Sequence, residues 1–163
     1  MAADALDTAI RGMGPGPRSR TRRLRLGCGR LDVLTATATG RAERLRLDPG
    51  LAPALVRRYG DRALAVLDLV EETGLATPIA DEPTHVAAEA LYAIRAEMAI
   101  DLEDFMARRI RLALTDRDGG ADRAVSSLFG TERGWSAKET RAQESRYLKS
   151  LERERPVADR AGA

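Results

Sequence analysis

Apolar residues recur every three to four positions through most of the chain, the spacing of one buried helix face. The pattern is densest over Thr84–Leu114, THVAAEALYAIRAEMAIDLEDFMARRIRLAL. It predicts two amphipathic helices joined by a very short turn. The first begins near Thr84, an N-cap residue following Pro83, and turns Ala87, Leu91, Ile94 and Met98 inward. Asp101 is placed as the N-cap of the second, with Glu103 and Asp104 in the first turn, where the helix dipole favours negative charge. Leu102, Phe105, Met106, Ile110 and Ala113 make its apolar face. Arg108, Arg109 and Arg111 follow near the C-terminal end, where positive charge is favoured.

The flanking segments read as packing partners of this pair. Met1–Met13 patterns as a helix with Leu6, Ala9, Ile10 and Met13 on one side, ended by the Gly-Pro tract 14–17. Arg18–Arg30 is an arginine-rich connector, and Leu31–Arg46, with its small-residue tract Thr35–Gly40, reads as a loop with one helical turn at most. Asp48 and Pro49 open a helix whose apolar face is Leu51, Leu55 and Val56, stopped by Gly60. Asp61 caps Arg62–Thr73, with Leu64, Leu67, Leu69 and Val70 inward and Gly74 as the C-terminal stop. Leu75–Pro83 connects to the central pair. Beyond Leu114, a charged Gly-Gly turn leads to a short helix, Ala121–Phe129, carrying Val125, Leu128 and Phe129. A loop follows over Gly130–Trp135. Ser136 and Glu139 form a capping box for a last helix running to about Arg155, with Ala142, Tyr147, Leu148 and Leu151 as its stripe. The expectation is an all-α fold: a compact bundle of about six to seven helices around the central pair, with an irregular Arg-rich connector after the first helix.

Composition supports this class. Aromatic residues make up 4% of the 163, against 44% hydrophobic and 32% charged, so the residue types that favour strands are scarce. No run approaches the roughly 20 apolar residues of a membrane-spanning helix. The single Cys28 excludes an internal disulfide and is compatible with a reducing cytoplasm. A net charge of +2 gives no case for whole-molecule attraction to nucleic acid.

Candidate chemistry is sparse. His85 is the only histidine, and it makes an i, i+4 pair with Glu89 just after Asp81 and Glu82. A carboxylate-heavy metal site could be assembled from these, but one histidine is thin support, and we read them as a solvated helix start. No glycine pattern matches a dinucleotide or phosphate loop. The six arginines between Arg18 and Arg30 raise nucleic acid or anionic lipid as partners, chiefly through Arg18–Arg25. No aromatic residue interleaves them to stack on bases, so a connector is the preferred reading. Arg95, Glu97, Glu103, Asp104, Arg108 and Arg109 cluster around the central turn. They read as a structural charge network, with Asp104 and Arg108 four apart, or as an interdomain contact, since arginine suits interface ion pairs. No residue is assigned a catalytic, cofactor-binding or metal-binding role.

The central block also resembles a known family. Arg58-Tyr59-Gly60, the run Glu89–Ala99 (EALYAIRAEMA), Leu102-Glu103-Asp104 and Arg108-Arg109-Ile110-Arg111 are similar to the C-terminal region of the aerobic FAD-dependent glycerol-3-phosphate dehydrogenases and glycerophosphate oxidases. Thr21–Leu24 and the helix before it also fit that pattern. The resemblance implies oxidation of glycerol 3-phosphate to dihydroxyacetone phosphate, with electrons passing through FAD to quinone in a peripherally membrane-associated enzyme. It implies that 1–13 is the end of an upstream FAD domain, 14–47 a linker, 48–155 a helical cap domain and 156–163 a disordered tail. It carries no flavin-contacting or catalytic residue into this chain, so catalysis by the chain alone is not expected. The alternative is a stand-alone helical module that binds nucleic acid or anionic lipid through Arg18–Arg25.

Overall fold

The computed structural model describes residues 2–14, 20–24, 29–80, 82–115 and 123–154. Cys28, Arg18, Arg25, Asp81 and the segments 116–120 and 156–163, expected as a turn and a disordered tail, lie outside them. The described residues are predominantly helical. In chain order they form α1 (Ala2–Ala9), α2 (Leu31–Arg44), α3 (Leu51–Tyr59), α4 (Ala63–Thr73), β1 (Pro78–Ile79), β2 (Glu82–Val86) and α5 (Ala87–Ala96). A π-helical segment (Asp104–Arg109), α6 (Leu112–Thr115), α7 (Arg123–Arg133) and α8 (Ala137–Glu154) complete them.

Two apolar cores lie on either side of α5. The first joins α2, α3 and α4, with Leu51, Leu55, Val66 and Leu67 fully buried. Each such side chain contributes about 1.5–3 kcal/mol relative to exposure. The second gathers Phe105 and Met106 from the π segment, Phe129 from α7 and Tyr147 from α8. Phe129 stacks on Trp135 with centroids 6.0 Å apart and also meets Phe105 at 6.0 Å. Helix α5 serves both cores through different faces. Ala88 and Tyr92 belong to the first, and Ala90 and Ala93 to the second.

The largest departure from expectation is α2. The stretch read as a loop is a 14-residue helix. Its Thr and Gly residues are weak helix formers, and its hydrophobic pattern is faint. Ala38 and Ala42, one turn apart, are buried against the first core, and Arg41 reaches Asp68 at 2.6 Å and Glu71 at 2.7 Å on α4. Tertiary contact makes this helix, where the small residues allow close approach.

Other corrections are local. The first central helix starts at Ala87, not Thr84, because Glu82–Val86 is extended and pairs antiparallel with Pro78–Ile79. That helix ends at Ala96, so Met98 stands outside it with φ +57 and is exposed. The second central helix is interrupted. Asp101 does cap it, its carboxylate accepting the Asp104 N–H at 2.8 Å, but the backbone widens to a π turn and breaks at Arg111, φ +60. Asp48 accepts the Gly50 N–H at 2.7 Å, and α3 begins only at Leu51. A 3-10 turn over Gly60–Arg62, rather than an Asp61 cap, leads into α4, where Leu64 and Leu69 are half-buried while Val66 is buried. Gly74, φ +71, ends α4 as expected, its N–H bonding Val70 O at 2.9 Å. Helix α7 runs on to Arg133, through the expected loop. On α8, Tyr147 is buried and Leu151 half-buried, but Ala142 and Leu148 face solvent. The Ser136–Glu139 capping box is present, with bonds of 2.7 and 3.3 Å.

Candidate functional site

Two clusters of charge flank α5, and they differ in depth. The deeper one surrounds Glu89. Helix α3 ends at Arg58-Tyr59, and β2 delivers Thr84 and His85 directly ahead of α5. Arg58 grips the Glu89 carboxylate with Nε and a terminal nitrogen, both at 3.0 Å, and donates to Thr84 O at 2.5 Å. Glu89 Oε1 also accepts the Val86 N–H at 3.0 Å, which caps α5. His85 Nδ1 lies 3.4 Å from the same oxygen. Glu89 is 0% exposed and His85 is buried. The solvated helix start expected for this pair is therefore wrong: Glu89 is the anchor that joins α3, β2 and α5.

Tyr59 completes the cluster. Burial, and then the negative charge of Glu89, push its phenol far above the ordinary range. Its ring meets Tyr92 edge-on at 5.5 Å. Sequence reasoning singled out Arg58-Tyr59-Gly60 only through family resemblance. The 31-residue separation of Arg58 and Glu89 hides their pairing from any local pattern.

The shallower cluster is the one read around the central turn. Arg109 sits between Asp104, 3.0 Å away, and Glu97, 3.7 Å away. Arg108 projects outward near Glu103 at 3.7 Å and Asp104 at 3.9 Å. Arg95 does not join them; it crosses to Glu132 on α7 with bonds of 2.8 and 2.9 Å and lowers that carboxyl's pKa. Glu97 is held above the ordinary carboxylate range, first by burial, against the opposing pull of Arg109. The intervening loop is braced. Ala99 N–H bonds Ala93 O at 2.8 Å, Arg133 donates to Ala99 O, and Ile100 N–H points to Asp104 Oδ2 at 3.4 Å. In both clusters the carboxylates are committed to arginines or backbone amides, an arrangement that holds elements together.

A groove of about 570 Å³ runs between α7 and α8, lined by Ser126, Ser127, Thr131, Trp135, Arg141 and Glu144 among others. Ser126 Oγ donates to Glu144, with no histidine in the lining to act as its base. The described arginines of the basic arm, Arg20, Arg22 and Arg23, are exposed.

A family model for the C-terminal domain of alpha-glycerophosphate oxidase matches residues 19–140. The chain belongs to that family. Among its relatives, glycerol-3-phosphate dehydrogenase 2 of Mycobacterium tuberculosis is 31% identical over 161 residues, covering 94% of this chain and 27% of the relative. Glycerol-3-phosphate dehydrogenase of Mycobacterium leprae is 32% identical over the same shares. The probable mitochondrial glycerol-3-phosphate dehydrogenase of Caenorhabditis elegans is 36% identical over 104 residues, 60% of this chain and 14% of that protein. The chain thus spans about a quarter of the length of the mycobacterial relatives it matches.

FAD, which the resemblance implies for such enzymes, does not fit the described residues. The one sheet among them is a two-stranded antiparallel pair, not the parallel strand–turn–helix unit that cradles a pyrophosphate. At Gly130 an added Cβ would lie 2.7 Å from Thr140 Oγ1, but that space is occupied by packing of α7 on α8. Among the described residues no helix is long and apolar enough to cross a membrane.

Proposed function

We propose that this chain acts as the helical C-terminal cap of an FAD-dependent enzyme that oxidises glycerol 3-phosphate to dihydroxyacetone phosphate. In that role it packs on a flavin-holding domain and performs no chemistry itself. The observation that carries this reading is the family match across residues 19–140, joined to relatives about four times as long. The geometry supports a structural role, because the buried ionic groups lock α3, β2 and α5 to one another instead of facing a cavity. Helix α1 supports it too. Leu6 on α1 and Met13 in the 3-10 turn after it are exposed and Ile10 between them is only half-buried, so the apolar side of this segment is left uncovered, as suits the end of a preceding domain. On this reading α2, which packs on α3 and α4, joins the cap expected over 48–155, so that the linker expected over 14–47 stops short of Leu31; electrons leave through the flavin-holding part to quinone, and the assembled enzyme works at the cytoplasmic face of a membrane.

The test is reconstitution. The purified chain should show no flavin absorbance and no turnover of glycerol 3-phosphate. Co-expressed with the preceding part of the mycobacterial relative, it should co-purify with a yellow, active complex. A yellow, substrate-consuming preparation of this chain alone would overturn the proposal.

A further inference from the structure

The loop between α5 and the π segment places two large apolar side chains in water. Met98 is 80% exposed and Ile100 is 62% exposed, on either side of Ala99, which is fully buried. Such exposure is ordinary at the tip of a slack loop, but this loop is not slack. Ala99 is fixed through its N–H to Ala93 O and through its carbonyl to Arg133, and Ile100 is steadied by Asp104. Met98 is held at φ +57, a conformation that residues with a Cβ rarely adopt. Beneath it, Arg109 is set between Glu97 and Asp104, and Arg108 stands at the edge, 67% exposed. An apolar centre with a charged border is the composition of a protein interface. Bracing the loop beforehand removes the ordering cost that docking would otherwise carry.

We propose that Met98 and Ile100 are the anchor by which this domain docks on the polypeptide that precedes the matched region in its relatives. The occupant follows from length. The family is a C-terminal domain, and the mycobacterial relatives have almost three quarters of their residues outside the match. The partner surface is an apolar recess with acidic groups at its border to meet Arg108. This rests on the cap-domain reading and adds to it the face that makes the contact, distinct from the α1 side.

Methionine oxidation reads the proposal directly, since exposed thioethers convert to sulfoxide and buried ones are protected. Met98 and Met13 are exposed, while Met106 is buried and serves as an internal reference. The comparison is between this chain alone and a single polypeptide in which it replaces the matched segment of the Mycobacterium tuberculosis relative. Met98 oxidation should fall by roughly tenfold in the joined protein, with Met106 slow in both. If Met13 becomes protected while Met98 oxidises as in the free chain, domain docking stands and this face is wrong. If neither is protected, both readings fall. A second measurement guards against a joined protein that does not fold. Here the chain is added in trans to the separately expressed preceding part of the same relative. Met98→Asp with Ile100→Asp should weaken co-purification at least roughly tenfold, whereas Leu148→Asp, at an exposed site on α8, should not. Equal retention of the double variant and wild type overturns the proposal.

Discussion

The Arg58–Glu89 site and the Arg109 junction use the same chemistry, but the junction carries an exposed arginine, Arg108, at its edge, and that difference in depth decides what each does. Glu89 is fully buried and Arg58 is 16% exposed, and their hydrogen bonds run to other elements of the fold. At the junction Arg108 is 67% exposed, and its carboxylates lie at 3.7 and 3.9 Å. Removing one member of a buried pair strands a charge without water, whereas an exposed pair loses little because solvent takes over. The first site therefore fixes the fold, and the second leaves charge available at the surface.

Glu89→Ala should produce the largest effect. Arg58 would be left buried and uncompensated, α5 would lose its cap at Val86, and stability should fall by about 3–5 kcal/mol in denaturant unfolding. The double variant Arg58→Met with Glu89→Leu should recover much of that loss, since no unpaired charge remains. If the double variant is as unstable as Glu89→Ala, the cluster acts through the Thr84 and Val86 backbone bonds more than through charge. Asp104→Ala comes next. It removes a mostly buried carboxylate from Arg109 and Ile100, at a cost of roughly 1.5–3 kcal/mol by the same assay. A loss as large as that of Glu89→Ala would erase the contrast between the sites. Arg95→Ala should leave the melting temperature close to wild type, because its pair with Glu132 is surface-exposed.

The smallest effect is on pH dependence. The folded state holds the Glu97 proton more tightly than the unfolded chain does, so its pKa is raised on folding. The contribution of this group is fully favourable below the unfolded pKa and is lost as pH rises through the higher folded value. Glu97→Gln should remove that decline from a melting profile taken at increasing pH above the unfolded pKa. An unchanged slope would mean that Glu97 titrates alike in both states.

Periodicity was a good guide to most of the large apolar side chains that the helices bury, though on α4 it named the half-buried Leu64 and Leu69 and passed over Val66. Leu51 and Leu55 on α3, Leu67 and Val70 on α4, and Phe105 and Met106 in the π segment all sit where their spacing places them. The pattern was poor where small residues carry the packing. Ala38 and Ala42 bury little area apiece and sit among Thr and Gly, so α2 has almost no local signature. It was also misleading at helix ends. Met98 continues the stripe of α5 by count, but the backbone has already left the helix at Ala96. Among the charged residues the sequence brought Glu97, Asp104 and Arg109 to one place. It could not show that Arg95 turns away to Glu132, nor that Glu89 is met by Arg58 from another helix, because neither partner is near in the chain.

Helix α5 has one more consequence. Three of its contributions to the two cores are single methyl groups, Ala88 beside Tyr92 on one side and Ala90 and Ala93 on the other. Side chains that short leave no slack, so the helix works as an axle with tight bearings. Enlarging any of these alanines would push a neighbour outward and shift the axle against its opposite bearing. A volume change at any one of these alanines would therefore be felt on both sides of the helix.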